Sequence, residues 1–126
     1  MLQRSRPLRG KAAVAGVGYA GLGQPAGRSS LELLAEAAGT ALADAGLTLA
    51  DVDGLCAGTL YHFFPTLSVA EYVGIRPKWA DADMIGGGSF LSHVLQAAMA
   101  LDAGLCEVAL IAYGSDARGS RNLGGD

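Results

Sequence analysis

One segment of this sequence has almost no polar face, and it limits the architectures open to the chain. From Ser89 to Ala103 the run SFLSHVLQAAMALDA wraps Phe90, Leu91, Val94, Leu95, Ala97, Ala98, Met99, Ala100 and Leu101 around one helix, with His93, Gln96 and Asp102 as its main interruptions. A helix that is apolar all round has to be covered on more than one side. A single small sheet covers only one. The chain therefore calls for a further layer: a second sheet, a partner chain or more sequence. Composition agrees, because 51% of residues are hydrophobic and only 17% are charged, below the roughly 25% charged of ordinary soluble domains.

The segments before and after this helix alternate between two periods. Residues 12–18, AAVAGVG, read as a first short strand. A helix follows over 29–46, where Ser29 and Glu32 have capping-box spacing, Gly46 supplies the stop, and Leu31, Leu34, Ala35, Ala38, Leu42 and Ala45 form one face. DVDGLCAGTL at 51–60 gives a second strand, TLSVAEYV at 66–73 a short helix ended by Gly74, and ADADMIG at 80–86 a weak third strand. After the apolar helix, closed by Gly104, CEVALIAYG at 106–114 is the strongest strand pattern. Such alternation predicts an α/β fold, a mostly parallel sheet with right-handed crossovers and helices on both faces. Residues 1–11 read as a flexible arm, 12–126 as one domain, and the polar, glycine-rich GSDARGSRNLGGD as a loop or tail.

Charge and cysteine content narrow the function classes. A formal net charge of -3 gives no basic field for nucleic acid. The one basic cluster, Arg4, Arg6, Arg9 and Lys11, precedes AAVAGVGYAGLG, a run too broken by glycine for a signal-peptide core. No segment has membrane length. Cys56 and Cys106 sit far apart in apolar runs, in no metal or redox spacing, and read as reduced core cysteines of a cytoplasmic protein.

Two glycine clusters invite chemistry. Gly16-Val-Gly-Tyr-Ala-Gly21 matches the dinucleotide fingerprint after a strand. That motif has to open a helix, and here the helix begins only after Gln24, Pro25, Ala26 and Gly27. The second strand also ends in Cys56-Ala57-Gly58-Thr59, without the acid that holds a ribose. The second cluster, Ile85-Gly86-Gly87-Gly88-Ser89, runs straight into the apolar helix. It lacks the lysine of a phosphate loop and the final glycine of a nucleophile elbow. Ser89 suits a helix N-cap. His93 lies four residues on, so a Ser89–His93 contact stays open as a second reading, although no acid is placed to orient the imidazole. His93 otherwise reads as a satisfied buried histidine.

Other residues have two readings each. Tyr61, His62, Phe63 and Phe64 suit either an acyl or steroid pocket or a hydrophobic loop packed on a neighbour. Trp79 reads as loop anchorage. Asp81 and Asp83 are too few for a metal site. Asp116 and Arg118 follow the last strand, where α/β proteins place sites, with a solvated turn as the plain alternative.

The helix SSLELLAEAAGTALADAGL, the strand DVDGLCAGT, the glycine turn into a buried helix, and AGLCEVALIAYGSDAR together resemble the N-terminal half of the thiolase superfamily, sterol-carrier-protein-X type. The resemblance covers the chain from about Lys11. It implies five layers, helix–sheet–helix–sheet–helix, here incomplete, with the middle helices buried between sheets. It also implies that the nucleophilic cysteine position falls at Gly87 and that Ser89 matches a small polar residue, so the acyl-accepting thiolate is missing and neither Cys56 nor Cys106 can replace it. What remains by resemblance is a set of backbone N–H groups, those of Gly87, Gly88 and Ser89, able to bind a thioester oxyanion.

Some cysteine-less members of the superfamily resemble retro-aldolases acting on β-hydroxyacyl-CoA, with acid–base residues from the C-terminal half and often an accessory subunit carrying a zinc ribbon and an OB-fold. The implied substrate is a coenzyme A thioester, with no resident cofactor or metal and a homo- or hetero-oligomeric assembly. The family's second half, with its Gly-His and second cysteine motifs, is absent. The chain is therefore expected to be a truncated piece or one part of a split protein, inactive alone. A non-catalytic thiolase-like subunit is the alternative, and a dinucleotide-binding domain comes third.

Overall fold

The computed structural model describes residues 7–23, 27–59 and 62–117. Arg4, Arg6, Gln24, Pro25, Ala26, Tyr61, Arg118 and the rest of the tail lie outside that set. Three helices, α1 (Ser30–Ala45), α2 (Pro65–Val73) and α3 (Ser89–Asp102), alternate with three strands, β1 (Gly54–Thr59), β2 (Trp79–Asp81) and β3 (Ala109–Gly114). The strands form one parallel sheet in the order β2-β1-β3. Every strand-to-strand connection passes through a helix, as parallel pairing requires.

Local chemistry sets the element ends. Ser29 caps α1 by accepting the Glu32 N–H at 3.1 Å, and Gly46 takes the left-handed conformation (φ 70°) that closes it. A reciprocal capping box forms instead after α1: the Asp51 carboxylate accepts the Thr48 N–H at 2.8 Å and starts a short 3-10 turn, Leu49–Asp51. Asp53 then ties the start of the sheet together. Its carboxylate accepts the N–H groups of Glu107 (2.9 Å) and Val108 (2.8 Å), while its carbonyl accepts those of Lys78 and Trp79. Burial alone would raise the Asp53 pKa. The two backbone donors, helped by Lys78, outweigh it and hold the carboxyl below its ordinary value.

α1 and α2 cover one face of the sheet. Leu34, Ala38 and Leu42 of α1, Val69 and Ala70 of α2, and Leu55, Ala57, Leu110 and Ala112 of the strands make a closed aliphatic core. Gly114 sits directly beneath the Ser30 carbonyl and the Leu34 side chain, where a Cβ has no room. α3 lies across the other face. There Phe90 packs against Gly58 and against the Tyr113 ring, whose centroid is 5.0 Å away.

The structure departs from the sequence reading at four places. Residues 12–18 are not a strand. They run along α1 with Gly16 and Gly18 pressed onto the Ala41 and Ala37 carbonyls, and the Val17 N–H goes to Asp44 at 3.0 Å. Small apolar residues favour this backbone-to-helix contact, and a strand without a partner edge cannot form. The third strand shrinks to three residues and begins at Trp79, which pairs with Gly54 and so is not a loop anchor. β3 begins at Ala109 because Glu107 and Val108 are held by Asp53. The cap of α3 is Gly88, with Ser89 already the first helical residue.

Candidate functional site: the glycine turn at the start of α3

The turn follows the C-terminal end of β2, where open parallel sheets place their ligands. Gly86 has φ 89°, a conformation L side chains rarely adopt, so glycine is required there. Gly87 and Gly88 are exposed, and a Cβ on either would meet nothing within 4 Å. The position the resemblance assigns to a nucleophile is thus open space that holds no side chain.

Ser89 is fully buried and its hydroxyl is committed. It donates to the Gly86 carbonyl at 2.7 Å and accepts the Ile85 N–H at 2.8 Å. The Ser89 N–H also turns back onto Gly86, at 3.1 Å. Of the three amides expected to face a ligand, those of Gly87 and Gly88 remain unbonded among the described residues. His93 is fully buried as well, and the structure does not bring it to Ser89. Its Nε2 accepts the Asp83 N–H at 3.2 Å, and the Phe90 ring lies edge-on at 5.5 Å.

Asp83 is the residue that sequence reasoning undervalued. One carboxylate oxygen receives the Ser92 hydroxyl and the Gln96 amide, each at 2.6 Å, and Gln96 also reaches Ser92 at 3.2 Å. The Ser92 bond, opposed by burial and supported by Gln96, keeps the Asp83 carboxyl below its usual range. The other oxygen lies 3.5 Å from His93 Nε2. That oxygen and His93 Nδ1 are both buried without a hydrogen-bond partner among the described residues. A sequence signal for this cluster exists. Ser89, Ser92, His93 and Gln96 fall at i, i+3, i+4 and i+7, a polar stripe down an apolar helix.

Beside the turn, an open cleft of about 930 Å³ runs between α2 and β2, lined by Phe63, Phe64, Leu67, Ile75, Met84 and Asp83 among others. Phe63 and Phe64 stand exposed with ring centroids 6.4 Å apart, and His62 is half-buried at the cleft's approach in sequence. Thr66 anchors the base of α2, accepting the Ala57 N–H and donating to the Asp81 carbonyl at 3.0 Å. Asp116 is half-buried beyond β3, with one carboxylate oxygen unpaired among the described residues.

Both cysteines are free and buried. Burial, with Asp81 nearby, pushes the Cys56 thiol up to about 11, and burial raises Cys106 too, so neither is a thiolate at neutral pH. Among the described residues, no group of three His, Cys, Asp or Glu side chains is placed to hold a metal ion, and no helix is long and apolar enough to cross a membrane.

A glycine turn leading into a helix that covers one face of a parallel α/β sheet is the arrangement of a thiolase-like fold, and the chain has that fold. A monomeric SCP2-thiolase-like protein type 1 from Mycobacterium smegmatis superposes with a TM-score of 0.59 at 35% identity, over 77% of this chain and 22% of that one. The Ltp2-ChsH2(DUF35) aldolase superposes with a TM-score of 0.73 at 40% identity, over 83% of this chain and 28% of that one. In sequence, the chain is 42% identical over 102 residues to a steroid side-chain-cleaving aldolase of Thermomonospora curvata, covering 80% of this chain and 26% of the relative. It is 40% identical over 107 residues to the 17-hydroxy-3-oxo-4-pregnene-20-carboxyl-CoA lyase of Mycobacterium tuberculosis, covering 84% and 27%. No protein-family model matches the chain. The chain spans about a quarter of the length of these curated relatives.

Proposed function

We propose that this chain supplies the oxyanion-binding turn of a thiolase-fold aldolase that cleaves a carbon–carbon bond in a β-hydroxyacyl coenzyme A thioester. The observation that carries the reading is the turn itself. Gly87 and Gly88 offer unbonded N–H groups at the positive end of α3, and the nearby Ser89 hydroxyl and His93 Nε2 are already engaged. Such a site is suited to holding negative charge and not to nucleophilic attack. The relatives named as an aldolase and a CoA lyase support the same reaction class.

In that reaction a base removes the β-hydroxyl proton and the Cα–Cβ bond breaks to leave a ketone. The electron pair moves to the thioester carbonyl, and the resulting enolate takes a proton at Cα. The amides of Gly87 and Gly88 stabilise the enolate oxygen as its charge develops. The proton-transferring groups and the second layer over α3 come from the rest of the assembly. By analogy with the Ltp2-ChsH2(DUF35) aldolase, that assembly includes a second, accessory subunit, and the apolar outer side of α3 suits burial in it. A non-catalytic scaffolding role is the second reading, and the same exposed leucines favour it.

The test uses the assembled protein with a β-hydroxyacyl-CoA bearing a tertiary hydroxyl, following the ketone and the shortened acyl-CoA by mass spectrometry. Gly88 has φ -75°, which proline accepts, so Gly88→Pro deletes one N–H without asking for a new φ at that position. Loss of one oxyanion donor is expected to lower kcat by about 10²-fold. Turnover unchanged by Gly88→Pro removes the oxyanion role, and no cleavage by the assembled wild type leaves the scaffolding reading.

A further inference from the structure

The polar stripe of α3 faces the wrong way for a surface helix, and its bonds all run to one short segment. Ser89, His93, Ala97 and Ala100 point inward, while Leu91, Val94, Leu95 and Met99 face out. His93 accepts the Asp83 N–H, Ser92 and Gln96 donate to the Asp83 carboxylate, and Ser89 holds Ile85 and Gly86. Residues 83, 85 and 86 are thus tied to side chains of one helix face, and Met84, Gly87 and Gly88 are not.

We propose that His93 is the positioning residue of the glycine turn: its neutral ring, protonated at Nδ1 and accepting the Asp83 N–H at Nε2, fixes the segment from which the Gly87 and Gly88 amides project. Asp83 is the point where backbone and side chain are held at once. Three consecutive glycines sample far more conformations than other residues, and donors that must reorganise before they bind lose most of their electrostatic advantage. Fixing residue 83 by its N–H, and residues 85 and 86 through Ser89, leaves Met84, Gly87 and Gly88 to order. The Phe90 ring lies edge-on against the imidazole, and a Cβ at position 58 would press on that ring at 3.1 Å. His93 touches no reacting atom in this arrangement and acts through Asp83. The functional consequence rests on the oxyanion reading above, whereas the brace itself does not.

The experiment compares the wild-type chain with His93→Gln, whose side-chain oxygen reaches the Nε2 position, and His93→Asn, whose oxygen reaches only the Nδ1 position. In the wild type, nitrogen–proton correlation spectra of the ring are expected to place the proton on Nδ1, a measurement that needs no folded variant. Hydrogen exchange at the Asp83 amide is expected to quicken about tenfold in His93→Asn, and to stay near wild type in His93→Gln. Binding of acetyl-CoA by the assembled protein is expected to weaken about tenfold in His93→Asn and to recover in His93→Gln. A proton on Nε2, or equal Asp83 exchange in the two variants, overturns the proposal. If the ring and exchange results hold while the assembled wild type ignores acetyl-CoA, the brace stands and the oxyanion reading falls.

Discussion

The two faces of the sheet follow opposite rules. Beneath α1 and α2 the core is conventional, with Leu34, Leu42, Leu55, Val69 and Leu110 turned inward. Across the sheet, α3 turns a serine and a histidine inward and leaves Leu91 78% exposed and Leu95 53% exposed. The first face gains its stability by removing aliphatic surface from water. The second spends its inward side on fixing a turn, and its aliphatic side stays unspent for another layer. One face holds the fold together, and the other holds the glycine turn in place.

The largest expected effect breaks the first face. Leu34 is fully buried, so Leu34→Ala is expected to cost about 3 kcal/mol in urea unfolding; a loss below about 1 kcal/mol would mean that this core is not closed. A smaller cost is expected on the second face from Gly58→Val. A Cβ at position 58 comes 3.1 Å from the Phe90 ring, and shifting that ring is expected to cost about 2 kcal/mol and to speed exchange at the Asp83 amide. Unchanged exchange would separate Phe90 from the turn.

Asp53 sits at the strand entrances common to both faces. Asp53→Ala is expected to cost about 1 kcal/mol near neutral pH through the lost bonds to Glu107 and Val108. The Asp53 pKa is lower in the folded chain than its ordinary value, so its ionised form favours folding. That advantage over the variant is complete above the ordinary carboxyl range, and it fades as pH falls through the depressed folded value. A difference that grows in acid would reverse the sign and remove the staple.

The smallest effect sharpens the contrast most. Leu91→Gln with Leu95→Gln is expected to change the isolated chain's stability by less than about 0.5 kcal/mol while reducing binding of a hydrophobic dye. A large destabilisation would show that another copy already covers α3 in solution.

The parts of this design that were legible in the sequence were those set by local chemistry. Ser29 and Gly46 bounded α1 within a residue, because caps satisfy backbone groups only a turn away. Gly74 did the same for α2. The glycine run was recognisable as a turn because consecutive glycines ahead of a helix start are a local signal, and Gly86 takes φ 89° there. Less was readable where partners come from afar. Residues 12–18 had a strand's composition, yet a strand is defined by its neighbour, and here the neighbour is the helix surface of Ala37 and Ala41. Asp83 looked like half of an incomplete metal pair because its partners, Ser92, His93 and Gln96, lie 9 to 13 residues away.

α3 divides the two sources of information most cleanly. The sequence by itself determined that this helix is apolar nearly all round and needs cover on more than one side, since periodicity gives the relative positions of side chains on a helix. Periodicity cannot say which side turns toward the sheet. The tertiary structure decided that: the Asp83 and Ile85 N–H groups find their acceptors in His93 Nε2 and Ser89 Oγ, and Ser92 and Gln96 donate to the Asp83 carboxylate, so this stripe turns toward the sheet.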